Sequence, residues 1–336
     1  MTSFKFRVPA PTGGPAVNTR RPTFSIVVPA YEAADVIERA VRSALAQTER
    51  PKEVIVVDDG STDDLTSALL AVSHQITLLR SPHVGPSVRN VGIRHTEADF
   101  VAFLDADDEL EPEFLAALGS LAAYRPDLDV LTTDARFVID GRPDGTFYEK
   151  NPFPVDDQRM AMLRGCFITT KTAVRRSRLL EVGGFDARLK HGEDWECWLR
   201  LVLSGSRVGL VDAPLSRYHL HGGQISARRG ESLRGRLEVM TSTRARPDLT
   251  DTERLQLARP LRDLSVRAAL TSGGEVGVSE SRRIWLDLAR NPEWTRPFRA
   301  SALVGAAIPR TVALYWPEIR DWTMKFRARY SRRSRR

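Results

Sequence analysis

The sequence predicts an α/β protein built on a doubly wound, mostly parallel sheet flanked by helices, with a mainly helical C-terminal extension. Three observations predict it. The short unbroken apolar runs "FSIVV" (24–28), "VIVV" (54–57) and "FVAFL" (100–104) have the length and continuity of strands covered on both faces, as the strands of parallel sheets are. Each run leads through a polar loop into apolar residues at helical spacing, the alternation of a doubly wound sheet. Beyond about residue 226 that alternation stops, and short Arg-rich helical patterns take over.

Taken in order, residues 1–22 are rich in Pro, Gly, Thr and Arg without periodicity and read as a flexible leader. The run at 24–28 is a buried strand stopped by Pro29, and Ile37, Ala40, Val41, Ala44 and Leu45 form one face of a helix. "VIVV" enters "DDGSTDD", a helical segment spans 64–72, and "ITLL" (76–79) adds another strand. Residues 86–97 read as helix, "FVAFL" as strand, and Pro112 suits the first turn of the next helix. "LDVLTTDA" (128–135) and "CFITTKTAV" (166–174) supply further strands. "GEDWECWLRLVLSG" (192–205) opens acidic and becomes an amphipathic helix with Trp195, Trp198, Leu199, Val202 and Leu203 on one face. "RVGLVDAPLSRYHLHGGQIS" (207–226) closes the α/β domain, 23–226, with a strand and a His-bearing loop; 227–336 is a basic, mainly helical region.

Composition narrows the class. With 42% hydrophobic and 28% charged residues the chain is that of a globular protein. Its two cysteines, Cys166 and Cys197, fit a reducing, cytoplasmic compartment. No signal-peptide h-region and no apolar run of spanning length occurs. The net charge of +7 is concentrated at one end: "RDWTMKFRARYSRRSRR" holds one acid against eight Lys or Arg, so an anionic partner is expected. With the aromatic residues of 310–330, this stretch suits peripheral contact with an anionic membrane at the cytoplasmic face, or packing as a helical appendage. Nucleic acid is not expected, because no aromatic-basic recognition motif accompanies the charge.

In such sheets ligands bind beyond the carboxyl ends of the strands, where "PAYE", "DDGSTDD" and "DADD" emerge. Asp105 and Asp107, flanking the small Ala106, repel one another unless something compensates them. A hard divalent cation, Mg²⁺ or Mn²⁺, does so with oxygen ligands, waters and phosphate oxygens. A solvated acidic turn is the rival for a bare D-x-D, but Asp58 and Asp59 end another strand of the same sheet.

In this order and spacing "VVPAYE", "VVDDGSTDD", "GPSVRNVGI", "FLDADD", "GGFD" and "GEDWECWLRL" resemble the family 2 glycosyltransferases of the GT-A fold, over residues 23–226. The resemblance implies a mixed, mostly parallel sheet and an inverting, metal-dependent transfer of a sugar. The donor is a nucleotide diphosphate sugar, UDP-linked by expectation, and the acceptor a hydroxyl of a glycan or lipid-linked acceptor. It implies that Asp59 binds the base with Asp58, Pro29 and Tyr31 nearby, that Arg89 lies by the nucleotide sugar, and that Asp105 contacts ribose or metal while Asp107 binds metal. Asp194 is implied as general base with Glu193 beside it, and His221, or else His219, as metal or diphosphate contact. Gly183 and Gly184 are expected in a turn, and Trp195 is left between acceptor stacking and core. Glu32 stands where Asn is frequent, and no Q-x-x-R-W motif is present, which points to a non-processive enzyme. A nucleotidyltransferase acting on sugar phosphates, or an inactive carbohydrate-binding protein, are the alternatives.

Overall fold

The computed structural model describes residues 4–10, 20–220, 229–275, 278–292, 294–307 and 309. The chain divides into two compact units, Met1–Ala227 and Arg228–Arg336.

The first unit is one ten-stranded sheet. Its strands are β1 Phe6–Arg7, β2 Phe24–Ala30, β3 Glu53–Asp58, β4 Thr77–Arg80, β5 Phe100–Phe103, β6 Glu109–Leu110, β7 Val130–Ile139, β8 Arg142–Thr146, β9 Thr172–Arg175 and β10 Val208–Leu220. The order is β1-β10-β7-β9-β5-β2-β3-β4, with β6 on β10 and β8 on β7. The pairs β5–β2, β2–β3, β3–β4 and β7–β10 are parallel, and β9 runs antiparallel between β5 and β7. The sheet is thus mixed. Its parallel strands are as continuous in burial as in sequence, with Ile26, Val27, Val28, Ile55, Val56 and Val57 all 0% exposed. Each such side chain contributes on the order of 1.5–3 kcal/mol relative to exposure.

Helix α1 (Ile37–Leu45) packs on this sheet through Ile37, Ala40, Val41 and Ala44, the face its spacing predicts. After α2 (Leu65–Ala68) and a 3₁₀ turn (Leu70–Gln75) come α3 (Arg89–His95), α4 (Phe114–Tyr124), α5 (Phe147–Lys150), α6 (Gln158–Arg164), α7 (Arg176–Glu181) and α8 (Glu193–Leu203). In α3, Gly92 permits contact with the sheet, since a Cβ there would lie 2.6 Å from Val27 Cγ1.

Two expectations need correction. Pro29 does not stop its strand: β2 runs to Ala30, because the β5 ladder ends at Val27 and Pro29 lies beyond it, where the missing N–H costs no bond on that side. The leader also takes part in the fold. Phe6 and Arg7 pair antiparallel with Val211 and Leu210, and Phe4, Phe6 and Val8 pack on the core, so three apolar side chains in a polar segment suffice to anchor an edge strand.

The second unit is helical: α9 (Arg229–Arg244), α10 (Asp251–Glu275), α11 (Val278–Arg290) and α12 (Arg296–Ala307). Its core gathers Val266, Ala269, Ile284, Trp285, Leu288, Ala302 and Ala306. Gly305 lets α12 approach Trp285, whose ring a Cβ would meet at 2.5 Å. No helix among the described residues is long and apolar enough to cross a membrane. The stretch 310–336, on which the expected membrane contact rests, lies outside them.

Candidate active site

Because β2, β3 and β5 are mutually parallel, Tyr31, Asp58–Asp59 and Asp105–Asp108 emerge at one edge of the sheet. Strand β9 enters antiparallel, so its first residue lies beside the end of β5 and Lys171, just before it, beside Asp105.

On the β3 side the acids build loops. Asp59, 2% exposed, accepts the backbone N–H groups of Val84 (2.7 Å) and Gly85 (2.8 Å), with His83 Nδ1 at 2.9 Å from its Oδ2. Asp58 Oδ1 accepts Ser61 N at 2.8 Å, and Arg80 Nε lies 3.4 Å from Oδ2. Tyr31 is 51% exposed, its ring centroid 4.3 Å from that of His83, and partly buried Pro29 lies two residues before it in β2. Glu32, at φ 48°, accepts both the N–H and the hydroxyl of Thr62 and so ties the β2 and β3 loops together. His83 has no sequence signature, being one aromatic residue in a Gly/Pro loop.

The loop that Asp59 holds runs into α3, whose first residue, Arg89, is the hub of a second cluster. Arg89, 9% exposed, donates to Asp105 Oδ1 at 2.7 Å and to Glu193 Oε1 at 3.4 Å, with the Phe185 ring centroid 5.5 Å from its Cζ. Asp105 Oδ2 accepts Thr170 Oγ1 at 2.8 Å and has Lys171 Nζ at 3.4 Å. Lys171, 1% exposed, also pairs closely with Asp108, whose Oδ1 accepts His219 N at 2.8 Å. His219 Nε2 lies 2.8 Å from Glu109 Oε1, and Arg39 donates to the backbone carbonyl of Asp107 at 2.7 Å. Asp194 Oδ1 accepts Trp195 N at 2.7 Å at the start of α8. Trp195 is 3% exposed and its indole N–H donates to Met162 O, so it packs in the core with no ring face open to a sugar. His221 lies outside the described residues.

Four carboxylates, Asp105, Asp108, Glu193 and Asp194, thus share the field of two buried cations, and Asp107 adjoins Asp108. Burial alone would raise the Asp105 pKa, but Lys171 and then Arg89 outweigh it and hold that carboxyl well below the usual range. Burial pushes Asp108 up to about 7 against the pull of Lys171, with Asp105 and Asp107 adding to the rise. Lys171 is itself held above its usual value, since Asp108 and Asp105 outweigh the cost of its burial. Burial and the neighbouring Asp194 raise Glu193 to about 7 against Arg89, and burial raises Asp194 against the Trp195 N–H and Arg89. An excess of negative charge on this scale favours a bound cation. No cluster of three or more His, Cys, Asp or Glu side chains suited to a metal occurs among the described residues. An oxygen-seeking ion there would need waters or phosphate oxygens to complete its shell.

The "GGFD" turn orients this hub. Gly184, at φ +69°, leaves room for Asn90, which donates to Phe185 O at 2.7 Å and accepts Phe185 N at 2.8 Å. A Cβ on residue 184 would collide with Asn90 Oδ1, next to Arg89. Gly184→Ala is expected to cost about 1–3 kcal/mol from the left-handed backbone and the displaced Asn90, read as a lower unfolding midpoint together with slower turnover.

The model of "Glycosyl transferase family 2" matches residues 25–183. Among curated proteins, the amylovoran biosynthesis glycosyltransferase AmsB of Erwinia amylovora is 31% identical over 229 residues, 63% of this chain and 74% of that protein. The O-antigen biosynthesis protein RfbC of Myxococcus xanthus is 31% identical over 68% of this chain but only 18% of its own length. An uncharacterized glycosyltransferase of Rickettsia felis is 25% identical over 59% of this chain; the chain spans 33% of that relative's length. In fold, the chain resembles S. aureus TarS 1–349 in complex with UDP, with TM-score 0.64, 21% identity and coverage of 88% of this chain and 91% of that one. It also resembles the mannosyltransferase PcManGT of Pyrobaculum calidifontis in complex with GDP-Man and Mn²⁺, with TM-score 0.56, 20% identity, and coverage of 91% and 84%.

Proposed function

Because this chain belongs to glycosyltransferase family 2 and has the GT-A fold, we propose that it transfers a sugar with inversion from a UDP-linked donor to a hydroxyl of a glycan or lipid-linked acceptor. The transfer is metal-dependent, adds one sugar at a time and serves the building of a cell-envelope polysaccharide. The observation that carries this reading is Arg89, which joins the "DADD" loop, through Asp105, to the "GED" helix start, through Glu193. A donor-side acid and a base-side acid are thereby held by one guanidinium. The UDP preference is supported by the TarS complex and the polysaccharide role by AmsB and RfbC.

In this reading Tyr31 and Asp59 face the nucleobase, with Asp58 and Pro29 shaping the loops around it. Asp105 faces the ribose. Asp107 is the described carboxylate assigned to the divalent cation, with His221 a further candidate; Asp105 has both oxygens engaged by charged or hydroxyl donors. When bound, that cation neutralises the departing diphosphate. Asp194 accepts the acceptor hydroxyl's proton as its oxygen bonds to the anomeric carbon and the carbon–oxygen bond to diphosphate breaks. Burial in the α8 start raises its proton affinity, which makes it a stronger base once ionised. Incubation with UDP-sugars, Mn²⁺ and glycan acceptors tests the proposal. UDP release with a product of inverted anomeric configuration is expected; pyrophosphate release would refute it.

The Glu193–Asp194 pair predicts a pH effect. Burial and the charge of Asp194 raise Glu193 to about 7, so that Glu193 loses its proton against a like charge. Asp194→Asn removes that charge, and the titration of the Glu193 carboxyl, followed by NMR, is expected to move to lower pH, by up to about one unit. An unmoved titration would show that the two carboxylates do not interact.

A further inference from the structure

On the nucleobase side, Asp59 is enclosed. Its Oδ1 accepts Val84 N at 2.7 Å, its Oδ2 accepts Gly85 N at 2.8 Å, and the residue is 2% exposed. The group beside it that does reach solvent is His83, in the loop after β4, with 56% of its side chain exposed. Nδ1 of that ring lies 2.9 Å from Asp59 Oδ2 and 3.1 Å from the Asp59 carbonyl oxygen. Both are acceptors, so Nδ1 carries the hydrogen. In the neutral imidazole Nε2 is then a bare lone pair, and it has no hydrogen-bond partner among the described residues. The Tyr31 ring, 51% exposed, has its centroid 4.3 Å from that of His83, with 35° between the planes. An aromatic face and a hydrogen-bond acceptor thus stand together where the loops after β2 and β4 meet.

We propose that His83 is a specificity-determining residue: its Nε2 accepts the N3–H of the donor's uracil, and Asp59 acts at second hand by orienting the imidazole and fixing its tautomer. The inference rests on the UDP-linked reading above and deepens it. Tyr31 offers a contact that any base can use, since every base has a π face. His83 supplies the discrimination. Uracil carries a hydrogen at N3, whereas cytosine presents a lone pair there, which would face the lone pair of Nε2 and leave both unpaired. The two backbone N–H groups already hold Asp59 in place, so the loop does not need the imidazole as a further donor.

Calorimetric titration of the full chain with UDP, CDP and N3-methyl-UDP tests this, each with Mn²⁺ and at about pH 8, which favours a neutral imidazole. Wild type is expected to bind UDP about three- to tenfold more tightly than CDP, the range one neutral hydrogen bond supplies, and N3-methyl-UDP no better than CDP. His83→Phe keeps a ring against Tyr31 and removes both nitrogens; its UDP affinity is expected to fall to that for CDP, with CDP little changed. Tyr31→Ala is expected to weaken UDP and CDP by a similar factor and to leave the preference in place. Should His83→Phe fail to fold, His83→Ala carries the same expectation. A histidine that only holds its loop would lower the unfolding midpoint and weaken all the nucleotides together, with the ratio of UDP to CDP as in wild type. That result, or a wild type without the preference, overturns the proposal and leaves the donor reading standing if UDP still binds. A wild type that binds no UDP refutes the donor reading and this inference with it.

Discussion

Asp194→Asn is expected to leave donor binding intact and to lower sugar transfer by about 10²–10⁴-fold, the range that loss of a positioned general base produces. The substitution is nearly isosteric, and the amide oxygen can still accept the Trp195 N–H that Asp194 Oδ1 holds at 2.7 Å. What it removes is the site proposed to take the acceptor's proton. The loss should appear in kcat with little change in donor KM, because the proposed role of Asp194 is toward the acceptor and not the nucleotide. Steady-state kinetics alongside calorimetric titration with UDP separate the two quantities; a variant turning over at wild-type rate would remove Asp194 from the mechanism.

Arg89→Met has a different signature, with transfer and stability falling together. Arg89 is held as a firm cation because Asp105 and Glu193 outweigh the cost of its burial. Its removal leaves Glu193 without its cation at 3.4 Å and Asp105 with Lys171 as its remaining one. Breaking one side of a buried ion pair costs about 3–5 kcal/mol, so a clear drop in the urea midpoint is expected. Arg89→Lys should recover part of the stability but little of the activity, since an ammonium lacks the planar, five-donor fork of a guanidinium. Full activity in Arg89→Lys would show that charge alone, and not the fork, organises the site.

The strands that carry the donor side were readable because parallel strands buried on both faces leave continuous apolar runs, as at Ile26–Val28 and Val54–Val57. The acids at their ends were readable because so many charges directly after a buried run call for compensation. What compensates them was not readable. Lys171 sits in "TTKTA", which has the look of any half-exposed strand, and nothing in a run of residues encodes that β9 runs antiparallel and brings its first residues to Asp105. At "DADD", where a metal ion was expected and a structural pairing of Arg89 with Asp105 was the alternative for that arginine, the structure shows that pairing and adds Lys171, a long-range partner invisible to local pattern. Strand β8, "RPDGT", was missed for a related reason: four of its five residues are exposed, so no apolar alternation marks it. Trp195 was open between two roles because helical spacing names a face but not what covers it; Met162 O settles its indole N–H in the core.

Everything proposed for turnover requires Asp107, Arg89 and Asp194 to surround one reacting centre. A crystal structure of the Asp194→Asn variant with intact UDP-sugar, Mn²⁺ and acceptor measures this directly. The expected result is the cation on Asp107 and the acceptor oxygen between the anomeric carbon and the substituted side chain, about 3–3.5 Å from each, the spacing of groups poised to react. A donor lodged away from the start of α8, or a cation bound without Asp107, would contradict it.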